Sequence, residues 1–375
     1  MRVVDSQGVH ATDRTAELSG TVRLCFRRDS QADETHVNLS AVRADGRCLW
    51  VAGDETATVE RLVASADGRE YAEQTTYHLA DLVELPGEAG DEADIEGLAR
   101  SGPFLWAVGS HSLKRKKIKA KHDDAKAFQR LATVSGEPNR QVLVRLPVED
   151  DGDGWPAPVR RTGKDAELLT AAVLGGPGEE SLRDLLADDP HVGPFVSIPS
   201  KDNGLDIEGI AVSGERVYLG MRGPVLRGWA VLLELWPYVD PDQPGRLRLR
   251  EGADGRPYAK HLLDLDGLGV RDLCPHGDDL LVLAGPTMDL DGPVRVYRWR
   301  GGCVVQAPRV VRGDDLARQV DLPHGSGVDH AEGIDVLGVD DAGTADRLLV
   351  VYDSPATERL GDDGSVTADV VLLPR

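Results

Sequence analysis

Four cysteines, three methionines and four phenylalanines are few for a chain of 375 residues. Cys25, Cys48, Cys274 and Cys303 are scattered, with no Cys-x-x-Cys pair. They indicate neither a disulfide framework nor a zinc knuckle, and buried or half-buried free thiols are expected. No apolar run approaches the roughly 18 to 20 residues of a membrane-spanning helix. The start, Met1-Arg2-Val3-Val4-Asp5, has no hydrophobic signal core. The expectation is a cytoplasmic protein that does not engage a membrane. Basic residues are also short: 43 Lys and Arg face 64 Asp and Glu, a net charge of −21. That balance argues against nucleic-acid binding, because phosphate contacts need basic faces. Turn formers are abundant instead. Forty-two glycines and twenty-two prolines suit an all-β protein with many turns.

One phrase repeats. Asp94-Ile95-Glu96-Gly97-Leu98 recurs as Asp206-Ile207-Glu208-Gly209-Ile210, with a relative in His330-Ala331-Glu332-Gly333-Ile334. Each copy leads through a break to a hydrophobic strand, such as Leu105–Gly109, Val217–Gly220 and Leu348–Tyr352. Recurrence of one supersecondary phrase points to a repeat architecture. Two further units align on Asn38–Val42 and Gly269–Leu273, making five, with anchors at Ser40, Glu96, Glu208, Asp272 and Glu332. The steps between anchors, about 56, 112, 64 and 60 residues, are long for common propeller blades of roughly 40 to 50. The double-length step either hides a sixth, degenerate unit or carries insertions. Within it, Lys114 to Val134 reads as a charged helix or ordered loop, and residues 180–188 as a short helix ended before Pro190.

A third strand follows in most units: Thr58–Leu62, Gln141–Leu146, Val231–Leu235, Val294–Trp299 and Asp369–Leu373. The last unit runs out at Arg375 with three strands, while Gly20–Phe26 precedes the first complete one. A β-propeller of five or six blades, read as one domain over 1–375, follows. Its N-terminal strand 20–26 completes the C-terminal blade and removes two exposed sheet edges.

In such a ring the first strand of each blade lines the channel, so Glu96, Glu208 and Glu332 should share one mouth, with Asp272 in the equivalent slot of the fourth unit. Carboxylates crowded together cannot all stay ionised without compensation. Either a hard cation such as calcium sits among the four or arginines pair with them. Each Glu capping its own strand is the structural alternative. The second strands end in Gly53-Asp54-Glu55, Gly109-Ser110-His111-Ser112, Met221-Arg222-Gly223 and Tyr352-Asp353-Ser354. In register, Asp54, Glu55, His111, Arg222, Arg227 and Asp353 gather at the same end. His111 is then a candidate general base, with Glu208 and Arg222 as its catalytic companions. Ser110, Arg115, Arg227, Arg271 and Asp353 are candidate ligand-binding residues. A satisfied channel-wall histidine and an internal Arg222–Glu208 ion pair are the structural readings of the same residues. No G-x-S-x-G elbow supports a serine nucleophile. Six of the nine lysines fall in 114–126, with Arg115 and Arg130 beside them. That segment is read either as a solvated loop neutralising an acidic neighbourhood, or as one that gates an anionic substrate or docks an acidic partner or nucleic acid.

The phrases Asp94–Ala99, Gly109-Ser110-His111-Ser112 and Arg222–Ala230 together resemble the bacterial family DUF3616, a domain of unknown function, from about Asn38 onward. More distantly, the Glu-Gly phrase is similar to that of esterase-like phytase propellers and to the channel glutamate of calcium-dependent lactonases. The lactonases' Asn and Asp metal ligands have no counterpart that can be matched in this chain. The resemblance implies a propeller and supplies no reaction. Two functions are expected from these residues: a metal-assisted hydrolase of a small ester, lactone or phosphoester, or a non-catalytic scaffold for a small polar ligand or a protein partner.

Overall fold

The computed structural model describes residues 15–164, 168–252, 255–288, 290–340 and 342–374. Met1–Asp5, read above for a signal core, lies outside them. The chain is all-β with a few short helices. The alternating and continuous apolar runs form strands that meander antiparallel. Leu39–Asp45, Cys48–Gly53, Thr58–Ala64 and Glu70–His78 are hydrogen-bonded in that order. So are Ile95–Ser101, Phe104–Gly109 and Leu143–Asp150, to which Ala172–Leu174 is added. The third set is Asp206–Ser213, Arg216–Gly223, Ala230–Leu235 and Tyr258–Leu263. The fourth is Gly269–His276, Asp279–Gly285, Val294–Trp299 and Leu316–Leu322. The fifth is His330–Val339, Ala345–Asp353 and Ser365–Pro374.

The N-terminal strand, Leu18–Cys25, pairs antiparallel with Ser365–Pro374 as the fourth member of that last set. It also touches the first set through two parallel pairs, Arg23 with Glu70 and Leu24 with Tyr71. The double-length step holds no further four-stranded meander among the described residues. It carries a two-stranded arm, Lys114–Arg115 with Val134–Ser135, whose intervening helix Asp124–Ala132 buries no residue. It also carries the helix Leu182–Leu186, started by a Ser181–Asp184 capping box and seated by buried Leu182 and Leu186.

Every first strand packs on two others, and the contacts close on themselves in the order 39–45, 95–101, 206–213, 269–276, 330–339 and back to 39–45. Five apolar clusters lie between neighbouring sheets, for example Trp106 and Val108 against Ile207, Ile210 and Leu219, or Leu281 and Leu283 against Ile334 and Val350. At about 25 cal/mol per Å² of apolar surface removed from water, these seams are the main stabilisation. They also fix the angle at which each first strand meets the centre.

Candidate functional site

Each first strand has one extra residue near its start. Pairing skips from Leu39 to Ala41, Ile95 to Gly97, Ile207 to Gly209, Val270 to Asp272 and Ala331 to Gly333. The skipped residues are Ser40, Glu96, Glu208, Arg271 and Glu332. A β-bulge leaves its extra residue outside the ladder and re-aims its side chain. This explains the Glu-Gly phrase. Glu is the bulge, and the following glycine faces the neighbouring first strand at backbone distance. A Cβ on Gly209 would lie 3.0 Å from the Asp272 Cα, and one on Gly333 3.0 Å from the Val42 nitrogen.

The same register corrects the fourth unit. Arg271, not Asp272, is its bulge residue, and Asp272 stands where the other units have glycine or alanine. Its fully buried carboxylate turns to the axis and grips Arg43, with oxygens 2.6 and 2.9 Å from the guanidinium nitrogens. Arg43 also donates to the carbonyls of Ile210, Leu273 and Ile334. This buried pair closes the centre below the bulges.

Above it, Arg271 brings a positive charge among the glutamates. It pairs with Glu332 and lies 3.4 Å from Glu208. Arg222, from the end of a second strand, pairs with Glu208 at 2.7 Å and Asp206 at 2.5 Å. Asp206, Arg222, Glu208, Arg271 and Glu332 thus form one alternating chain of charges. Arg140 extends the cluster, reaching Asp94 at 2.5 Å, Glu92 at 2.6 Å and the Ser112 hydroxyl at 2.7 Å.

Carboxyls still outnumber cations. Glu96 makes no direct ion pair among the described residues, Arg140 and Arg222 acting on it only from farther off, and Asp54 Oδ1 is buried without a hydrogen bond. Burial, then Asp94 and Asp353, push the Asp54 carboxyl up to about 8. Burial raises Glu96 well above its usual range, with Asp94 and Glu208 adding to the effect. Glu208 rises to about 7 by burial, against the pull of Arg222 and Arg271, and Asp94 and Asp206 rise to about 6 for the same first reason.

A cavity of about 350 Å³ opens over this chain, bounded by Arg222, Arg271, His330, Glu332 and Asp353, with Lys117 and Lys201 at its rim. His330 lies 3.9 Å from Asp353 and 3.5 Å from Asp291. The Asp353 interaction raises its pKa. Sequence reasoning passed over His330, although the third copy of the phrase signals it by placing His where the other two have Asp. Arg43 and Arg140 carried no such signal.

Of the remaining candidates only Ser110 touches the cluster, through Arg140. His111 is fully buried with Nδ1 against the Gly109 carbonyl. Burial lowers its pKa to about 4, and its charged neighbours are Arg183 and Asp184 rather than the mouth carboxylates. Ser110 is buried with its hydroxyl 2.9 Å from Ser112 and 3.3 Å from Arg140. Arg115 pairs with Asp202 on the arm. Arg227 and Glu55 are exposed. The chain turns sharply after the second strands, with His111 and Arg227 both at positive φ, and these two side chains leave the cluster.

Of the four expected metal ligands, Glu96, Glu208 and Glu332 lie near one another and Asp272 is apart. Asp272 pairs with Arg43, Glu208 and Glu332 pair with arginines, and Glu96 makes no direct ion pair among the described residues. Among the described residues no group of three or more His, Cys, Asp or Glu side chains converges as an ion would require. Arginine pairing, the second of the two ways to compensate the carboxylates, is what this donor set offers.

A family model described as "Protein of unknown function (DUF3616)" matches residues 38–369. Among solved structures the chain is similar to glutaminyl cyclase from Myxococcus xanthus, at 10% identity over 96% of this chain and 97% of that one, TM-score 0.41. It is similar to regucalcin, a calcium-binding protein from Agrobacterium tumefaciens, at 11% identity over 95% of each chain, TM-score 0.35. It is similar also to the PQQ-bound aldose sugar dehydrogenase of Streptomyces coelicolor, at 13% identity over 95% and 98%, TM-score 0.35. No match is found among curated proteins.

Proposed function

The chain belongs to the DUF3616 family, whose description carries no reaction, and from that premise we propose a five-bladed β-propeller that binds a small polar anion at one channel mouth and hydrolyses an ester, lactone or phosphoester bond in it. The closed cycle of five first strands supports the blade count, with Leu18–Cys25 closing the last blade. The observation that carries the function is the charge chain Asp206–Arg222–Glu208–Arg271–Glu332 beneath a cavity of about 350 Å³.

Arg222 and Arg271 are held rigid by carboxylates, so their remaining donors are set in advance for an anionic group or a developing oxyanion. Glu332 and His330 both border the cavity from one strand and are tuned in complementary ways. Burial raises the Glu332 carboxyl, which brings its proton exchange closer to neutral pH, and Asp353 favours the protonated imidazole of His330. In the proposed step, water attacks the carbonyl carbon or phosphorus, Glu332 takes the proton of that water, and His330 delivers a proton to the leaving oxygen.

A panel of p-nitrophenyl acetate, a γ-lactone and p-nitrophenyl phosphate tests this. Turnover of one substrate, falling at least about 100-fold in Glu332→Gln and in Arg271→Met, is the expected result. Turnover that survives both substitutions would remove the mechanism. One observation favours the non-catalytic alternative: both guanidinium groups already have partners, so a ligand has to compete with Glu332. That reading predicts anion binding with no turnover of any panel member.

A further inference from the structure

A second cavity, of about 620 Å³, lies at the hairpin ends of the second and third sheets, away from the mouth. Phe104, Trp106, Tyr238, Leu168, Arg145 and Arg250 border it. The volume falls in the range of small-molecule sites. Its unusual member is Arg145. The guanidinium carbon sits 4.2 Å from the Phe104 ring centre and 5.9 Å from that of Trp106. Among the described residues it has no carboxylate partner, and its buried Nε makes no hydrogen bond. Burial lowers its pKa.

Among the described residues only Arg183 is comparable, and it has Asp184 nearby to oppose its burial. The chain has 64 acidic residues, and Arg43, Arg140, Arg222 and Arg271 are all paired with carboxylates. A partly buried guanidinium without a counter-ion is costly unless something supplies one. Nearby, Arg250 lies 5.7 Å over the Tyr238 ring and is held by exposed Glu215 at 2.8 Å. Leu168 is 47% exposed. Cation, aromatic faces and apolar wall meet in one concave place.

We propose that this cleft is a second binding site, distinct from the channel mouth, for a small planar aromatic anion. The ring rests on the Phe104, Tyr238 and Leu168 surface, and the carboxylate or phosphate pairs with Arg145. Stacking on aromatic and guanidinium faces supplies the ring's part, and a fork-shaped donor supplies the anion's.

Calorimetric titration of the full chain with benzoate and with adenosine 5′-monophosphate tests the site and separates the two anion sources. Benzyl alcohol and adenosine serve as neutral controls. At least one anion is expected to bind with one-to-one stoichiometry, at least about tenfold more tightly than its neutral counterpart. Arg145→Met keeps most of the stem's packing and should weaken that binding at least about tenfold, with Arg145→Lys falling between. Arg271→Met, at the mouth, should leave it in place. Absence of binding by both anions would overturn the proposal. So would anion binding lost in Arg271→Met but kept in Arg145→Met, because the anion would then be reporting on the mouth. A folded Arg145→Lys protein that binds as wild type would overturn the assignment of the guanidinium.

Discussion

Arg271 and Asp272 are adjacent in the chain and serve two different ion-pair clusters. Asp272 turns to the axis, where it and Arg43 are nearly inaccessible, at 0% and 3% exposure. Arg43 and Asp272 pair there, and the terminal nitrogens of Arg43 also donate to backbone carbonyls of three other first strands. Arg271 turns to the mouth, where carboxyls exceed cations and a cavity opens. The residue types are the same in both places. What differs is closure. A closed pair joins first strands of different sheets and is sealed from a ligand by burial. An open cluster with surplus carboxyls keeps protons near neutral pH and can exchange partners.

The largest effect is expected on the axis. Arg43→Ala leaves Asp272 buried without a counter-charge and should cost about 3–5 kcal/mol in urea unfolding. Replacing both partners, as Arg43→Met with Asp272→Leu, should recover much of that loss. If the single and double variants are equally unstable, the pair is not the source of the stability. Next comes Gly209→Ala, whose new Cβ meets Asp272 backbone at 3.0 Å and should cost about 1–3 kcal/mol by overpacking. An unchanged unfolding midpoint would show that the first strands can move apart.

At the mouth the raised carboxyls fix the sign of the pH dependence. Asp94, Asp206, Glu208 and Asp54 have carboxyls raised to about 6, 6, 7 and 8, whereas unfolded chains titrate near about 4. A raised folded pKa means that the folded state holds protons the unfolded state has released. The stabilisation is therefore fully present below about pH 4 and is lost as pH rises through 6 to 8. Melting temperature should fall from pH 5 to pH 8.5, and Asp54→Asn should flatten the upper part of that fall. A melting temperature that rises over this range would break the account.

Arg271→Met sharpens the contrast further. It should lower the melting temperature more at pH 8 than at pH 5.5, because Glu208 and Glu332 can neutralise themselves by protonation only at the lower pH. The smallest effect is expected from metal. With arginines on Glu208 and Glu332, adding millimolar calcium or a chelator should move the melting temperature by less than about 1 °C. A large calcium-dependent rise would restore the carboxylates as ligands.

Much of the fold was legible because strands and turns are written locally. The third strands at Thr58, Val231 and Val294 lie where alternation and apolar runs place them, and the arm and short helix fall inside the segments marked by charge and by Pro190. The site was legible only in part. Glu208, Glu332, Arg222, Arg271 and Asp353 do gather, but alignment on the carboxylate chose Asp272 over Arg271. A bulge shifts register by one residue, and nothing in Gly269-Val270-Arg271-Asp272 announces which residue is extra. His111 read as a mouth residue because the turn after Gly109 reverses direction through a positive φ of 55°, which the side-chain pattern does not encode.

Sequence alone determined the repeat, the glycine that follows each bulged glutamate and the acidic character of the centre, since each depends on residues close together in the chain. Tertiary structure decided which carboxylates meet which arginines, that Arg43 rather than a metal ion answers Asp272, and that Arg145 has no acid beside it among the described residues. Those outcomes depend on side chains separated by up to 229 positions, and their pairing is set by how the sheets pack rather than by any local preference.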